Sequence, residues 1–321
     1  MFKDNQPKEM KNYLSIIVLS ICSFFAFSQQ DAQYTQYMYN TISINPAYAG
    51  SRGALSMALL HRSQWVGLDG APNTQTFNAH SPVGKGIGLG LSIVNDEIGE
   101  GVNQNTYFDI DVSYTIPLSE EGKISFGVKG GGHLLNIDFT KLSQYVSELD
   151  ASNNIDNKFS PNIGAGVYYH TNKFYVGLSV PNFLETEHFE PSSNSNNSTT
   201  YLASDRMNFY LISGYVFELS DTWDFKPALL TKLVDGAPLQ VDLSANFWYN
   251  KKLTIGAAYR WSAAWSAILG MQVTDSFMVG LAYDREITDL GNTSFNDGSF
   301  EVLLRFELFK NFDKILSPRF F

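Results

Sequence analysis

The stretch that decides the fold is nine residues long and reads Phe108-Asp109-Ile110-Asp111-Val112-Ser113-Tyr114-Thr115-Ile116. Every even-numbered position in it is apolar or aromatic, and every odd-numbered position is Asp, Ser or Thr. Successive side chains of a β-strand point to opposite faces of the sheet. The stretch is therefore predicted to be a strand with one apolar face and one polar face.

The same two-residue period recurs along most of the chain. It is clear from Leu239 to Phe247 and from Phe300 to Leu308, and glycine alternates with apolar residues from Gly86 to Ile93. Many such segments have about ten residues, the length that a tilted strand needs to cross a bilayer. We predict fourteen strands, near residues 53–62, 72–82, 85–96, 102–118, 122–138, 161–170, 173–183, 206–219, 222–234, 237–249, 252–262, 265–273, 276–286 and 299–309.

Two features favour a membrane barrel over a soluble β-sandwich, whose outward faces would be polar. Short turns such as Thr171-Asn172 alternate with longer connections, of which 139–160 and 184–205 are the longest. Aromatic residues cluster at predicted strand ends, as in Phe247-Trp248-Tyr249, where membrane barrels carry interfacial girdles. The predicted fold class is all-β: a transmembrane antiparallel β-barrel of about fourteen strands, of the outer-membrane type, over residues 53–309.

The parity of the strands predicts the orientation. An even number of strands leaves both ends of the barrel on one side of the membrane, and outer-membrane barrels have short periplasmic turns. Both termini are therefore expected in the periplasm, with residues 310–321 as a C-terminal tail. The connections 139–160 and 184–205 are expected on the outside of an outer membrane.

Residues 1–28 are predicted to be a secretory signal peptide. Lys11 precedes a mostly apolar stretch from Leu14 to Phe27, and small residues near Ser28 suit cleavage. An N-terminal membrane anchor and lipidation at Cys22 are the alternatives. The apolar stretch is shorter than the roughly 20 residues of a spanning helix, and Ile21 does not suit lipoprotein processing. Residues 29–52, rich in Gln, Tyr and Asn, are expected to pack into the periplasmic mouth as a plug, and the alternative is that they also contribute to a partner-binding surface.

The composition excludes several classes of function. The 321 residues include 22 Lys and Arg against 32 Asp and Glu, so an acidic chain with net charge -10 is a poor binder of nucleic acid. One cysteine excludes a disulfide framework, and the five histidines lack metal-ligand spacing. No nucleophile elbow or Walker loop is present. We predict no enzymatic activity, no cofactor and no metal.

A set of unusual sequence motifs follows the predicted signal peptide. Gln33-Tyr34 and Tyr37-Met38-Tyr39-Asn40 precede Asn45-Pro46-Ala47-Tyr48-Ala49-Gly50, and Arg62-Ser63-Gln64-Trp65 comes next. These motifs closely resemble those of the PorP/SprF family of Bacteroidota membrane proteins, which serve type IX secretion and gliding. The chain end also resembles that family's ending, and it reads Ser317-Pro318-Arg319-Phe320-Phe321. The resemblance covers essentially the whole mature chain.

The resemblance implies an outer-membrane barrel that works with a partner. Family members handle large secreted surface proteins that carry a type B C-terminal domain, and they are thought to export them, hold them at the surface, or link them to the periplasmic ring and motor. The family brings no catalytic residues with it.

Some residues are candidates for contacts with the partner. Tyr48 is an amphipathic side chain in the plug segment. Arg62 is expected to pair with a lumenal acid or to cap the extracellular rim. Trp65 is expected to pack against a loop or to contact the partner directly. The full set of candidates is Tyr48, Arg62, Gln64, Trp65, Tyr201, Trp261 and Trp265.

A diffusion porin or small-solute transporter is the competing function. Porins usually carry rings of opposed charge in the lumen, whereas inward charge is expected to be sparse here. Glycines mostly fall on the inward face instead, and the set is Gly86, Gly88, Gly90, Gly127, Gly164, Gly166, Gly177, Gly256 and Gly280. They leave room for water, a plug or a partner's chain, and the sequence does not separate these three.

Overall fold

The structure, a computed structural model, describes residues 33–142, 154–185, 206–235, 237–293 and 295–308. The predicted signal peptide, the predicted tail and Tyr201 lie outside these residues. Fourteen strands follow one another: β1 Leu55–Ser63, β2 Asn73–Pro82, β3 Ile87–Ile98, β4 Asn103–Pro117, β5 Lys123–Ile137, β6 Ile155–His170, β7 Phe174–Val180, β8 Asn208–Tyr215 with a short continuation Phe217–Glu218, β9 Trp223–Val234, β10 Gln240–Tyr249, β11 Leu253–Arg260, β12 Ala264–Thr274, β13 Phe277–Glu286 and β14 Ser299–Leu308.

The strands form a closed antiparallel barrel. Each strand pairs with the next along the chain, and β14 returns to pair with β1, from Leu55 opposite Leu308 to Ser63 opposite Phe300. Closure gives every described strand a neighbour on both sides, as a bilayer requires of a β-structure. The predicted fourteen-stranded all-β barrel is confirmed.

The alternation in the sequence sorts side chains between the two faces of this wall. On β4, Ile110 is 61% exposed on the outside, whereas its neighbour Asp111 is fully buried in the lumen. Leu243 and Leu269 are likewise exposed on the outside of β10 and β12, next to lumenal Ser244 and Ile268. The outer face is an apolar band and the inner face is mainly polar or glycine.

The connections differ at the two ends of the barrel. Turns of two to five residues follow β2, β4, β6, β8, β10 and β12 at what we call the short-turn end. The long-loop end carries 64–72 and 287–298 and the connections after β5 and β7. One prediction was wrong in its bounds: β6 begins at Ile155 rather than near 161, because it continues to pair with the long β5, where Ile137 faces Ile155.

Aromatic rings on the outer face line both ends. At the short-turn end, Trp223 lies 4.7 Å from Tyr249 and Phe225 lies 5.0 Å from Phe247, centroid to centroid. At the long-loop end, Tyr259 lies 4.3 Å from Trp265. These are the interfacial girdles of a membrane barrel.

Helices are few and short among the described residues. The single turn α1 (Thr41–Ile44) is followed by a 3-10 turn, Pro46–Tyr48, and two further 3-10 turns lie at Phe139–Leu142 and Asp289–Asn292. In the parts of the chain that the structure describes, no helix has the length and apolar character needed to span a membrane.

The outer face predicts how insertion responds to charge. Leu269 and Trp265 point outward from the same strand, β12, but Trp265 lies at its long-loop end. We expect Leu269→Arg to cost about 2–4 kcal/mol of folding free energy in a bilayer, and Trp265→Arg about 0–1, because the penalty for a charge falls towards the interface. Urea unfolding in liposomes measures both, and equal costs would contradict this assignment of depth.

Candidate functional site

The lumen is occupied by the chain's own N-terminal segment, residues 33–53, which we call the plug. Its apolar side chains are almost fully buried and pack with Tyr168 and Tyr175 of the wall, so the main hydrophobic cluster of the protein lies inside the barrel. The buried apolar residues of the plug are Tyr34, Tyr37, Met38, Tyr39, Ile42, Ile44, Ala47, Tyr48 and Ala49.

The plug runs along the lumen from one end to the other. Gln33 donates from Nε2 to Oε1 of Gln240, the first residue of β10 at the long-loop end, at 2.9 Å. At the short-turn end, the amide of Gly50 donates to Nδ1 of His80 at 3.1 Å, and Arg52 forms an ion pair with Glu307. The segment therefore extends well beyond the mouth where the sequence analysis expected it. Gln33 and Leu308, the first and last described residues, lie at opposite ends of the barrel, which does not agree with the expectation that both termini lie on one side of the membrane.

A buried charge cluster holds the long-loop half of the plug. Arg62 Nη1 lies 2.6 Å from the Asp284 carboxylate and 2.7 Å from that of Glu301. The two oxygens of Glu301 accept from the backbone amides of Thr35 and Gln36 at 2.6 and 3.0 Å, and the Thr35 hydroxyl donates to Asp284 at 2.7 Å. Charge-assisted bonds in a buried site are strong. We call Arg62, Asp284 and Glu301 the clamp.

The motif from Asn45 to Gly50, which carries part of the family resemblance, anchors the short-turn half of the plug. Asn45 accepts from the Ala47 amide at 2.9 Å, which caps the turn Pro46–Tyr48. Its Nδ2 donates to the carbonyls of Val167 at 3.1 Å and Leu178 at 3.3 Å, on β6 and β7. One side chain thus shapes the plug and ties it to the wall.

Tyr48 and Ala49 complete this anchorage. The Tyr48 ring meets the rings of Tyr168 and His80 edge-on, each at 5.4 Å between centroids. The carbonyl of Ala49 accepts from the Ser113 hydroxyl at 2.7 Å.

Glycines of the wall form a track for the plug. A Cβ on Gly127 would overlap the backbone of Ala47, and one on Gly166 would overlap the side chain of Asn45. Gly88 lies in the same way against Ala49, Gly90 against Ile42, Gly177 against Asn45 and Gly280 against Gln36. Glycine in a strand often marks the close approach of another backbone. At these positions, the lumenal glycines make room for the plug.

Inward charge is not sparse, contrary to the expectation from the sequence. Several charged residues of the strands face the lumen and are buried there. Those of the wall that are buried there are Arg62, Asp111, Lys129, Asp224, Lys226, Lys232, Asp242, Asp284, Glu301, Arg305 and Glu307.

Tyr34 of the plug is buried and hydrogen-bonded to the barrel wall. Tyr34 shares a hydrogen bond of 3.0 Å with the hydroxyl of Thr76.

Above the plug, the long-loop end opens into a cavity of about 100 Å³, which we call the cup. Its floor is the plug and its wall comes from β3, β4, β5, β8, β9 and β10 with Pro181 and Asn182. Two ion pairs stand in or beside the wall, Asp109 with Lys129 at 3.1 Å and Asp242 with Arg260 at 2.9 Å. The tyrosines that line the cup are Tyr34, Tyr37, Tyr107 and Tyr210.

The predicted partner-binding residues are not all in one place. Arg62 is buried in the clamp, and Tyr48 is buried within the plug. Trp65 is half-buried next to Gln64, donates from Nε1 to Glu286, and donates its amide to the Ser299 hydroxyl at 3.2 Å, so it packs one long-loop connection on another. Trp261 and Trp265 are 65% and 57% exposed on the lipid-facing side.

The sequence analysis missed Asp284 and Glu301 as functional residues. Both lie on the polar faces of strands with alternating residues, and this pattern in the sequence indicated that they face the lumen. That they meet at Arg62 depends on the register of β13, β14 and β1. Among the residues that the structure describes, no group of His, Cys, Asp and Glu is arranged to hold a metal.

A closed barrel with an apolar outer band, two aromatic girdles and a filled lumen is an outer-membrane β-barrel. The family model described as the type IX secretion system membrane protein PorP/SprF matches residues 26–306, and the chain belongs to this family. The family that the sequence motifs predicted is thereby confirmed. The family is one of secretion-system membrane proteins and not an enzyme family.

Solved outer-membrane proteins are among the structures to which the chain is similar. Omp33 of Acinetobacter baumannii has a TM-score of 0.47 and 10% identity, covering 80% of this chain and 100% of its own. The toluene transporter TbuX of Ralstonia pickettii has a TM-score of 0.47 and 9% identity, covering 83% and 92%. Such values carry no information on substrates. A search of curated proteins found no match to the chain.

The glycine track predicts how the lumen can be opened. We expect Gly127→Val to displace the plug, because the added side chain would occupy the position of the Ala47 backbone, and to produce steady channels in planar bilayers. Gly130→Val is the matched control, because no atom lies within 4 Å of its Cβ and the residue faces outward on the same strand.

Both variants should still shift on heating in gels as folded barrels do. Large conductance from the unaltered protein, or identical traces from all three proteins, would contradict a lumen closed by the plug.

The path of the plug predicts the position of the N-terminal end. Gln33 lies at the long-loop end, so a cysteine at Asp31 and a cysteine at Ser195, in a long-loop connection, should react with an impermeant maleimide from the same side of the membrane. Asp221→Cys, in a turn at the short-turn end, should react only from the opposite side. Labelling of Asp31→Cys together with Asp221→Cys would contradict the path.

Proposed function

We propose that the protein binds a secreted surface protein with a type B C-terminal domain, and that it helps to export this partner or anchors it at the cell surface. The observation that carries the proposal is the plug. A lumen filled by the protein's own chain suits a binding scaffold rather than a conduit. Membership of the type IX secretion family supports a secreted protein as the partner.

The proposed orientation places the long-loop end outside the cell and the short-turn end in the periplasm. Residues 1–28 would be removed as a signal peptide, and 310–321 would stay in the periplasm with the ends of β1 and β14. The difference in connection length between the two ends supports this orientation. Components of the periplasmic ring or motor would then meet the short-turn end.

The proposed binding surface is the long-loop end. A specific interface buries at least about 1,000 Å² in total, and aromatic side chains often contribute most of the binding energy. Gln64 and Trp65 lie on this rim, and Tyr201 belongs to a connection at the same end. Trp261 and Trp265 stand at its lipid-facing edge, so their contribution would be to a partner that also lies against the membrane.

Arg62 and Tyr48 have an indirect role in this proposal. Both side chains are buried and engaged with the wall or the plug. They position the plug, which is the floor of the binding surface. A catalytic role is not part of the proposal.

Deletion of the gene tests the proposal. We expect one or a few large proteins to disappear from the cell surface while general export continues, because each barrel serves its own partner. A tagged barrel should recover that partner, and Trp65→Ala should reduce recovery by about tenfold or more, as loss of an aromatic anchor does.

Trp223→Ala, at the short-turn end, is the matched control and should leave recovery unchanged. A deletion strain that keeps its full surface proteome and loses uptake of a small solute would contradict the proposal and support a transporter.

A further inference from the structure

We propose that the plug is an internal template for closing the barrel: it lies against β1 before the wall is complete, it selects β14 as the closing strand, and it is enclosed when β14 pairs with β1. Such a role in assembly goes beyond the proposed function and does not depend on the partner.

The plug is placed beside β1 by the chain itself. The amides of Ser51 and Gly53 donate to the carbonyls of Tyr48 and Gly50 at 3.0 and 3.1 Å, so hydrogen-bonded turns join the plug to β1. The strand begins at Leu55, directly after these turns. A short connection costs little loop-closure entropy, whereas β14 is separated from β1 by the rest of the wall. The plug and β1 are therefore close together before β14 is in place.

The lumenal face of β14 meets the plug at both of its ends. Near the long-loop end, Glu301 accepts from the amides of Thr35 and Gln36 at 2.6 and 3.0 Å. At the short-turn end, Glu307 forms an ion pair with Arg52. The closing strand is thus held to the plug by charge-assisted contacts at two separate levels of the lumen.

The middle of β14 also faces the plug. The Cζ atom of Arg305 lies 5.5 Å from the centroid of the Tyr39 ring, in a cation–π contact. Leu303 is fully buried and belongs to the same hydrophobic cluster as Tyr37 of the plug. The buried face of β14 is therefore directed at the plug along the length of the strand.

Charge distinguishes β14 from the strands of the glycine track. The strands β3 and β5 approach the plug at Gly88 and Gly127, whereas β14 has no glycine and meets it with two carboxylates and a guanidinium. Backbone hydrogen bonds and an alternating pattern are common to the strands of the wall, so neither identifies the strand that should pair with β1. Another strand in this place would leave Arg52 and the two plug amides without their carboxylates.

Closure before entry of the plug is opposed by the tight fit. The side chains of Tyr37 and Tyr39 are 1% and 6% exposed in the lumen. These rings would have to pass through a closed wall in which even a Cβ at Gly127 would lie 2.2 Å from the Ala47 nitrogen. Enclosure of a plug that is already in place avoids this passage.

Pulsed labelling during refolding from urea into detergent micelles tests the order of events. The chain after residue 28 contains no cysteine, so each of two variants has a single thiol: Thr41→Cys in the plug, at a position that is 3% exposed, and Glu120→Cys in an exposed short turn. Each maleimide pulse is stopped with SDS. We expect closed barrels, recognised by their shift on heating in gels, to carry no maleimide at Thr41→Cys at any time.

The control variant Glu120→Cys should be labelled in closed barrels at every time point. Closed barrels that are labelled at Thr41→Cys early in refolding and protected later would show that the plug enters after closure. That result would overturn the proposal.

Folding rates test the selection of β14. Arg52→Gln removes the partner of Glu307 from the plug, and we expect it to slow the appearance of closed barrels by about tenfold, because a charge-assisted contact made during closure is lost. Arg260→Gln is the matched control. It removes a similar ion pair, with Asp242 at 2.9 Å, but between β10 and β11, which are neighbours in an open sheet as well, so the rate of closure should not change.

An Arg52→Gln protein that closes as fast as the unaltered protein and only unfolds faster would overturn the selection of β14 by the plug. Equal slowing by Arg52→Gln and Arg260→Gln would overturn it as well.

Discussion

The fit of the plug against the glycine track is the constraint on which the rest of the structure depends. A fourteen-stranded wall encloses more space than its own side chains fill, and buried polar groups need partners. The plug supplies both volume and hydrogen-bonding groups. In return, Gly88, Gly127 and Gly166 leave no room for side chains where it passes. The hydrophobic cluster of this membrane protein therefore lies at its centre, while its lipid-facing residues form only an outer band.

The buried charges follow from the same constraint. Asp284 and Glu301 share Arg62 of the wall, and the plug adds further donors to both acids through its backbone amides and the Thr35 hydroxyl. Removing one member of such a cluster leaves an uncompensated charge, which typically costs about 3–5 kcal/mol. The clamp therefore ties the closure of β14 on β1 to the position of the plug.

A plugged barrel divides its functions between its two ends. The short-turn end holds the exit of the plug and the start of β1, while the long-loop end carries the cup and the connections that can vary in length without disturbing the wall. A rigid floor under the cup matters for recognition, because a preorganised site loses less conformational entropy on binding. Asn45 and Tyr48, which belong to the family motif, hold this floor in place through their contacts with the wall.

The sequence by itself determined the class of fold, the faces of the strands and the family. The alternation of apolar and polar residues in stretches such as 108–116 is a local feature of the sequence. The family motif is local too, and it reads Asn45-Pro46-Ala47-Tyr48-Ala49-Gly50. Only the tertiary structure decided what fills the lumen, where β6 begins and which acids Arg62 meets. Thr35 and Glu301 are separated by 266 positions, and Arg62 and Asp284 by 222. Such contacts depend on strand register and on closure of the barrel, which no local pattern of residues encodes.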